Sequence, residues 1–474
     1  MAPSRRSLLQ VASSGLLGMG LFGPTSAKAK KLDVVVIGAG ISGLYAARLL
    51  EEQGLSVQVI EASKRVGGRM NTLYDLPGAP ESGGAQVGGS YARLRKTAAV
   101  LQIGLHDFPA ENPGDLMLAL GAKRYMPAQW KDAPENPFPL ALRAALPSSL
   151  LFRLAANNPL KSDTDWSKAV GTADISVEAL LRANGLDDAG IALVNKTLNA
   201  NDASSYSMVN MYRSQLLFAR DAALGVSQSV AGGSTNLPKA IAANLKSPIH
   251  FGKSVVRIEV GPKSGDISCA DGSRYEADFV VCTVPFPALR RIAVRAPLSV
   301  IQREAIATMA YTQILQVHLE ASAPFWEKDG LPRAFWTYSS TERGWVQTDR
   351  LTGSPTGMLM SWINGTGADA LAPLSDEAIG ELCISEWARL RPASKGQVRL
   401  RKVTRWTRDN PLAGGAYMHY APGQAARWGP EIAKPAGRLH LAGEHLAPIY
   451  TGMEGAMESG EQAFMHIMDK VDAT

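Results

Sequence analysis

Cysteine is scarce in this sequence, and its three copies lie far apart along the chain. Cys269, Cys282 and Cys383 follow no ligand spacing, so the sequence predicts buried thiols and argues against a disulfide framework or a metal site. No basic run is interleaved with aromatic residues, and the formal net charge of +6 is modest for 474 residues. Nucleic-acid binding is therefore not predicted.

Long apolar runs are missing as well. The run from Leu8 to Phe22 is rich in Gly and Ser and is too short to span a bilayer. It follows Ser4-Arg5-Arg6, which resembles a twin-arginine export motif, and precedes the A-x-A pattern Ala27-Lys28-Ala29. Residues 1–29 are predicted to be a twin-arginine signal peptide, which implies the export machinery as a partner and a periplasmic or secreted protein. A disordered tail and a chance arginine pair are the alternatives.

A dinucleotide-binding pattern opens the rest of the chain. The apolar run Val34 to Ile37 predicts a buried parallel strand. Three glycines with the spacing G-x-G-x-x-G follow, then an apolar stripe at helical spacing, and then a second strand that ends at Glu61. The glycines are Gly38, Gly40 and Gly43. This order of strand, turn, helix and strand is typical of a Rossmann-like nucleotide site.

Each residue of the glycine turn has a physical role in such a site. Gly38 permits the tight turn, Gly40 lets a pyrophosphate approach the backbone, and Gly43 lets the helix pack closely on the strand. Ile41 and Ser42 lie between the second and third glycines, next to a helix N-terminus whose free N–H groups and dipole favour an anion. The turn is therefore predicted to hold the pyrophosphate of a dinucleotide.

The choice of dinucleotide rests on the residues around the second strand end. Glu61 stands where an acid accepts hydrogen bonds from the adenosine ribose, which argues against the 2′-phosphate of NADP. NAD and FAD share this pattern. The sequence continues as EASKRVGGRMNT, with Ala62, Arg65, Gly68 and Arg69. Its small residues bring backbone amides near a ligand, and its two arginines are suited to phosphate or flavin oxygens.

The stretch EASKRVGGRMNT resembles the E-A-x-x-R-x-G-G-R-x-x-T signature of the flavin-containing amine oxidases. The segment Glu81 to Leu94 is similar to the second glycine loop that this family places beside the flavin, with Gly83, Gly84 and Ala85. Val256 falls where family members place a valine backbone against the adenine. The resemblance implies that the cofactor is FAD.

A block from Val403 to Gln424 extends the resemblance. It contains Trp406, which is the tryptophan of the family block, and Gly-Gly-Ala-Tyr ending in Ala416 and Tyr417. Mitochondrial monoamine oxidases have a cysteine at the position of Ala416, and that cysteine anchors the flavin covalently. Alanine has no thiol, so the resemblance implies non-covalent FAD. Tyr417 matches one wall of the aromatic cage that guides an amine toward the flavin.

The closing block, RLHLAGEHLAPIYTGMEGAMESGEQ, also matches the family. Gly443 and Glu444 correspond to its G-E, whose acid meets the ribityl or phosphate end of the flavin. Met453 lies at the start of a predicted helix whose N-terminal amides favour negative charge at flavin N1 and O2. Gly452 replaces the second cage aromatic, and Tyr450 is the alternative residue for that wall.

One departure from the family lies on a predicted central strand. Most relatives carry a lysine eight residues before the proline of a P-F-W, where it holds a water on flavin N5; here Pro324 counts back to Gln316. His318 lies on the same face, where core packing competes with a position beside the flavin. Because glutamine carries no charge, we predict a weak oxidase or a dehydrogenase that passes electrons to a periplasmic carrier.

The resemblance implies an α/β fold: a Rossmann-like FAD-binding domain of discontinuous segments with an inserted α+β substrate domain. The FAD-binding domain is predicted to comprise 30–95, 226–297 and 405–474, and the substrate-binding domain 96–225 and 298–404. The implied reaction is transfer of a hydride from a neutral amine to flavin N5. The imine is then hydrolysed, and oxygen or another acceptor reoxidises the flavin. A homodimer is left open.

The central chain is predicted to be helical with proline-rich breaks. Residues 127–139 are predicted to contain no regular element, 177–186 and 191–200 to be helices, and 249–260 to form strands.

Three other functions remain open. An L-amino-acid oxidase would need an arginine for the substrate carboxylate, and the candidates are Arg93, Arg124, Arg213 and Arg333. A flavin desaturase or protoporphyrinogen-oxidase-like enzyme shares the glycine blocks but acts on other bonds. A non-catalytic flavoprotein would bind the cofactor without turnover.

Overall fold

The structure, a computed structural model, describes residues 32–108, 115–169, 171–225 and 227–472. The predicted signal peptide, residues 1–29, lies outside these described residues. Two kinds of regular element, α-helices and β-strands, build the described chain, and short 3₁₀ turns connect some of them.

The helices are α1 (Ile41–Glu52), α2 (Ala92–Val100), α3 (Pro127–Trp130), α4 (Pro147–Leu154), α5 (Val177–Ala183), α6 (Asp188–Thr197), α7 (Met208–Leu224), α8 (Asn236–Ala243), α9 (Phe286–Leu289), α10 (Val300–Thr308), α11 (Gly365–Leu371), α12 (Asp376–Leu390), α13 (Gln424–Trp428) and α14 (Gly452–Asp472). The strands are β1 (Leu32–Ile37), β2 (Val57–Ile60), β3 (Gln86–Val87), β4 (Leu105–Asp107), β5 (Leu116–Leu120), β6 (Lys123–Tyr125), β7 (Gln228–Val230), β8 (Val255–Val260), β9 (Gly265–Cys269), β10 (Arg274–Cys282), β11 (Ala293–Arg295), β12 (Ala310–Tyr311), β13 (Ile314–Ala321), β14 (Ala334–Thr337), β15 (Arg343–Thr348), β16 (Pro355–Asn364), β17 (Val398–Trp406), β18 (Met418–His419) and β19 (Leu439–Leu441).

The first large sheet carries the glycine turn. Its strands follow the order β11-β8-β9-β10-β1-β2, and β19 also pairs with β10. The strands β2, β1, β10 and β19 form a parallel part, in which Ile37 pairs with both Ile60 and Cys282. Alternate residues of β1 pack in two separate hydrophobic cores: Val34 and Val36 in one, and Val35 and Ile37 in the other. This explains why β1 is apolar along its whole buried length.

The second large sheet is mostly antiparallel. Its order is β17-β13-β16-β15-β14-β5-β6, and only β14 and β5 pair in parallel. Leu315, Val317 and Leu319 of β13 enter a core with Trp387 of α12. Because side chains alternate along a strand, Gln316 and the other even-numbered residues of β13 belong to the opposite face.

The predicted fold class is confirmed: the fold is α/β, with one part-parallel sheet and a second, mainly antiparallel one. Strands of the first sheet come from residues 32–60, 255–295 and 439–441, and those of the second from 116–125 and 314–406. The exact ends of the two predicted domains stay a prediction.

Local structure differs from the sequence prediction in three places. Residues 127–139 contain the short helix α3, because Pro127 fits the first helical position, where its missing N–H leaves no hydrogen bond unmade. The helix predicted over 177–186 begins at Val177 as predicted, after its cap Ser176, but ends at Ala183. The helix predicted over 191–200 begins earlier, because Asp187 caps it, and spans Asp188–Thr197. Within 249–260 only the end is a strand of a sheet.

Within the described ranges, no helix is long and apolar enough to cross a membrane. The side chains there form no group of three or more His, Cys, Asp or Glu residues that could hold a metal ion. The cysteines Cys269, Cys282 and Cys383 are buried free thiols.

Candidate active site

The glycine turn between β1 and α1 is shaped by close backbone contacts. Gly38 has a φ of +107°, which favours glycine. A Cβ on Gly43 would overlap the backbone oxygen of Gly38, so α1 packs on β1 only with glycine at that position. A Cβ on Gly40 would meet no protein atom within 4 Å. Gly40 therefore faces open space, which suits a site where a ligand approaches the backbone.

Glu61 is fixed beside this turn by two backbone N–H donors. Its Oε2 accepts from the N–H of Ala39 at 2.8 Å, and its Oε1 accepts from the N–H of Ser63 at 2.7 Å. A carboxylate oxygen has capacity for a further donor. Glu61 is thus placed to accept from ribose hydroxyls without moving.

A large cavity runs from the glycine turn to the second sheet. Its volume is about 1050 Å³, at the upper end of the range for small-molecule and cofactor sites. Most of the predicted site residues line it. They are Gly38, Gly40, Ile41, Ser42, Glu61, Ala62, Arg65, Gly68, Arg69, Gly84, Val256, Trp406, Tyr417, Gly443, Glu444, Gly452 and Met453.

Four predicted site residues are not among the described residues that line the cavity: Gly43, Gly83, Ala85 and Gln316. Gly83 and Gly43 each allow two backbone segments to approach closely. A Cβ on Gly83 would overlap the backbone oxygen of Arg69, as one on Gly43 would overlap that of Gly38. These two glycines shape the walls of the cavity. A direct contact of any of the four with a cofactor stays a prediction.

Arg69 joins parts of the site that lie far apart in sequence. Its Nη1 donates to the backbone oxygen of Ala416 at 2.7 Å and lies 3.3 Å from Oε2 of Glu444. Burial raises the pKa of the Glu444 carboxyl, and Arg69 and Arg213 counteract that rise. Arg69 therefore stabilises the anionic form of Glu444 at the cavity wall.

Arg65 has a more local role than its neighbour. Its guanidinium donates to the backbone oxygens of Val66 at 3.3 Å and of Gly68 at 2.7 Å. These bonds hold the loop that follows Glu61, while the residue itself is exposed at the cavity edge.

The aromatic residues predicted from the C-terminal block lie together. Trp406 ends β17, is buried, and donates through Nε1 to the backbone oxygen of Ser82 in the second glycine loop. Tyr417 packs in the same small cluster with Trp362. The Tyr417 hydroxyl lies 3.4 Å from the backbone oxygen of Asn199. This cluster forms one aromatic side of the cavity.

The residues around Gly452 differ from the aromatic cage that the resemblance implies. Gly452 has a φ of +60°, and a Cβ there would lie 3.7 Å from the hydroxyl of Tyr91. Tyr91 in turn makes an edge contact with Tyr450, with ring centroids 6.3 Å apart, and Arg220 lies over the Tyr450 ring. Tyr91 lies within the Glu81 to Leu94 segment, but only the glycines and Ala85 of that segment were predicted to be site residues.

Two more lining residues carried no sequence signal. Lys402 of β17 and Asp75 form an ion pair at 3.0 Å, and both line the cavity. His318 of β13 is paired with Lys402 in the sheet, and Gln316 with Thr404; the two β13 residues are buried, at 0 % and 2 % exposure. Burial, together with Lys402, lowers the pKa of His318 to about 4, and Asp75 partly opposes this.

The arginines considered for a substrate carboxylate are mostly bound elsewhere. Arg93 pairs with Glu454 and Glu461, and Arg124 donates to the backbone oxygen of Leu390. In the part of the chain that the structure describes, the cavity lining includes none of the four candidates, which are Arg93, Arg124, Arg213 and Arg333.

Arg213 illustrates such a structural role. It donates to the backbone oxygens of Ala447 at 2.7 Å and Tyr450 at 2.9 Å, and its guanidinium lies 4.5 Å from the ring centroid of Trp166. It therefore fixes the loop that leads into α14.

These residues fit FAD: an open cradle at Gly40, a prepared acceptor in Glu61, and a cavity long enough to reach a second aromatic region. The N-terminus of α1 has no side-chain cap, so its first N–H groups are available to an anion.

We expect the flavin to be released when the protein is precipitated with acid. The backbone oxygen of Ala416 is engaged by Arg69, and its side chain has no atom able to form a thioether. The measurement is the distribution of yellow flavin between supernatant and pellet, with free FAD added to a flavin-free protein as control. Colour that stays in the pellet would contradict the expectation and would indicate attachment through another residue.

Comparisons with known proteins identify a family and related chains. A family model described as flavin containing amine oxidoreductase matches residues 41–467. L-amino-acid oxidase of Pseudechis australis is 23 % identical over 447 residues, which cover 90 % of this chain and 85 % of that protein. Putative L-amino-acid oxidase YobN of Bacillus subtilis (strain 168) is 25 % identical over 469 residues, covering 92 % and 94 %.

Solved structures share the fold. Wild-type putrescine oxidase bound to putrescine superposes with a TM-score of 0.72 at 22 % identity, covering 93 % of this chain and 99 % of that one. Cyclohexylamine oxidase from Brevibacterium oxydans IH-35A gives a TM-score of 0.73 at 20 % identity, covering 93 % and 100 %.

Proposed function

We infer that this chain, which belongs to the family of flavin-containing amine oxidoreductases, oxidises the C–N bond of an amine with non-covalently bound FAD. The observation that carries the inference is a cavity of about 1050 Å³ that is lined both by the glycine turn and by Trp406 and Tyr417. A cofactor in the first part and an amine at the second would lie next to each other.

The residues that would hold FAD each contribute a defined interaction. The N-terminus of α1, opened by Gly40, binds the pyrophosphate, and Glu61 accepts from the ribose hydroxyls. Arg69 keeps Glu444 and the backbone of Ala416 in place at the flavin end. FAD itself supplies the two-electron acceptor for the hydride.

The amine would be bound by shape and by exclusion of water. Tyr417 and Trp406 give the cavity an aromatic side, against which the α-carbon of the amine is positioned. A largely apolar site disfavours the ammonium form, so it lowers the pKa of the bound amine and favours the neutral form that can lose a hydride. No side chain is assigned the role of general base.

The test uses pairs of substrates that differ only by a carboxylate, such as phenethylamine with phenylalanine and agmatine with arginine. Purified enzyme with a saturating electron acceptor is expected to form ammonia and an aldehyde from the amine of at least one pair. Formation of ammonia and a keto acid from the amino acid alone would show an amino-acid oxidase instead. No product from any pair would favour the desaturase or the non-catalytic flavoprotein.

Amino-acid oxidation is the second candidate, because the curated relatives named above are called L-amino-acid oxidases. Arg343 of the second sheet, whose guanidinium lies 4.9 Å from the ring centroid of Trp336 and 4.8 Å from that of Trp345, is not among the described residues that line the cavity either. The matched substrate pairs test this second candidate directly, because an amino-acid oxidase would form a keto acid from the amino acid.

Substitution of Gly452 with tyrosine is expected to narrow the substrate range toward small amines. A ring at Gly452 would occupy space beside Tyr91, so kcat/KM for bulky amines should fall by about tenfold or more, equivalent to ~1.4 kcal/mol. The measurement is kcat/KM across a size series of amines. Because the φ of +60° is unfavourable for tyrosine, Gly452→Asn is the control, since asparagine tolerates this conformation without adding a ring. Equal turnover of large amines in both variants would favour Tyr450 as the cage residue.

We also propose that the chain is exported by the twin-arginine route and works in the periplasm or outside the cell. The proposal rests on the sequence motif around Arg5 and Arg6. Replacing both with lysine should leave the protein in the cytoplasm, as shown by cell fractionation. Export that is unaffected by the double change would contradict it.

A homodimer remains a prediction, to be tested by the mass of the purified protein in solution.

A further inference from the structure

Gln316 and His318 form a buried polar pair on one face of β13. They are 2 % and 0 % exposed, respectively. Within the described residues, Oε1 of Gln316 and both ring nitrogens of His318 have no hydrogen-bond partner. Leaving a buried polar atom unsatisfied costs about 1–3 kcal/mol. Three such atoms on neighbouring positions therefore indicate that a small polar ligand, such as water, completes their hydrogen bonds.

The surroundings of this polar pair connect it to the cavity. Across β17, Gln316 is paired with Thr404 and His318 with Lys402. Thr404, Lys402 and Asp75 all line the cavity. Directly opposed residues in a sheet lie about 5 Å apart at Cβ. The polar pair is therefore separated from the cavity by no more than its own cross-strand neighbours.

The same surroundings connect the polar pair to solvent. Lys402 and Asp75 are 3.0 Å apart, and their side chains are 39 % and 63 % exposed. On the other side of β13, His318 is paired with Met360, which is buried and apolar. From His318, a path for a proton is thus polar toward Lys402 on β17 and closed by Met360 on β16.

His318 is suited to orient water because it is uncharged. Burial and the facing Lys402 lower its pKa to about 4, while Asp75 acts in the opposite direction. Glu320 lies further along β13, where surface arginines pair with it, and β16 places Met360 opposite His318. A neutral imidazole has one donor and one acceptor nitrogen, so it can orient a water molecule by donating to it or by accepting from it without carrying a charge.

We propose that Gln316 and His318 hold ordered water behind the cavity wall, and that His318 positions this water to deliver the proton consumed when oxygen is reduced. The proposal rests on the proposed function only in assigning a flavin to the cavity. The amine loses a hydride, RCH₂NH₂ → RCH=NH₂⁺ + H⁻. Oxygen takes up that hydride's two electrons, O₂ + H⁻ + H⁺ → H₂O₂, so one proton must come from solvent.

The test measures reoxidation without any amine. Flavin in the full holoenzyme is reduced by light under anaerobic conditions and mixed with oxygenated buffer in a stopped-flow instrument. His318→Leu removes both ring nitrogens and is expected to slow reoxidation by about 10- to 100-fold. Met360→Leu, the matched control on the closed side, should stay within about twofold of wild type. His318→Gln keeps a donor and an acceptor and should recover most of the rate.

Several outcomes would overturn the proposal. One is reoxidation of His318→Leu at the wild-type rate, and another is a glutamine variant as slow as the leucine variant. Because light replaces the amine, failure here is distinct from failure to oxidise amines.

A second readout does not depend on activity. In a high-resolution crystal structure of the wild-type protein, water should lie within hydrogen-bond distance of Gln316 Oε1 and of a His318 nitrogen. A dry site at those atoms would overturn the proposal even if the leucine variant were slow, and it also decides the case if that variant does not fold.

Discussion

Replacing Gln316 with lysine is expected to accelerate reoxidation of the reduced flavin by oxygen by about 100-fold, equivalent to ~2.7 kcal/mol. Negative charge develops on oxygen as it accepts electrons, and a nearby ammonium in a site of low dielectric stabilises that charge. At the position where most relatives have this lysine, Gln316 has a polar amide that carries no charge. The wild-type enzyme is accordingly proposed to be a weak oxidase that uses another acceptor effectively.

The reductive half-reaction provides the contrast. Hydride transfer from a neutral amine needs no positive charge at residue 316, so anaerobic bleaching by amine should change by no more than about twofold. Rates with an artificial electron acceptor should also be unchanged. Gln316→Met is the matched control, since it keeps the length of the side chain without a charge, and it should not accelerate reoxidation.

Burial adds a pH dependence to the lysine variant. Because residue 316 is only 2 % exposed, desolvation should lower the pKa of the introduced ammonium. The acceleration should therefore be present below that lowered pKa and be lost as the pH rises through it. If wild type reoxidises in air as fast as the lysine variant, the glutamine is not limiting and the enzyme is an ordinary oxidase.

Two alanine substitutions in the glycine turn are expected to impair different properties: one the stability of the protein, the other its affinity for FAD. At Gly43 the new Cβ would overlap the backbone oxygen of Gly38, so Gly43→Ala should destabilise the protein itself by about 2 kcal/mol or more. At Gly40 the Cβ meets no protein atom within 4 Å, so Gly40→Ala should leave the flavin-free protein as stable as wild type. It should nevertheless weaken FAD binding about 100-fold, because the methyl occupies the space for the pyrophosphate.

The measurements are thermal unfolding of the flavin-free proteins and FAD titration of each. Gly261→Ala is the control, because its Cβ would meet only an ordinary contact at 3.7 Å. A Gly40 variant that binds FAD as tightly as wild type would contradict the assignment of the turn to the pyrophosphate.

Much of the first sheet could be predicted from sequence because its signals are local. The apolar strand, the glycine spacing and Glu61 all fall within one short stretch, and the structure places them around one turn. The contact of Arg69 with Ala416 and Glu444 joins residues separated by 347 and 375 positions. No periodicity predicts that contact, and family resemblance alone suggested that these blocks share a site.

Other features of the site depend on tertiary packing that a single sequence does not encode in a motif. Tyr91 reaches Gly452 only because α2 is held to α14, where Glu454 accepts from the N–H groups of Arg93 and Leu94. The ion pair of Lys402 with Asp75 likewise joins a strand to a distant loop. The short helix α3 was not predicted, because proline can interrupt a helix and can also occupy its first position.

The central claim, that this chain uses FAD to oxidise amines, is tested most directly by anaerobic titration of the purified enzyme with an amine panel. At least one amine should bleach the visible flavin absorbance, with about one equivalent of amine per flavin, since one hydride carries both electrons. Light should bleach the same flavin without amine. The account would be contradicted if light reduced the flavin but no amine in the panel did.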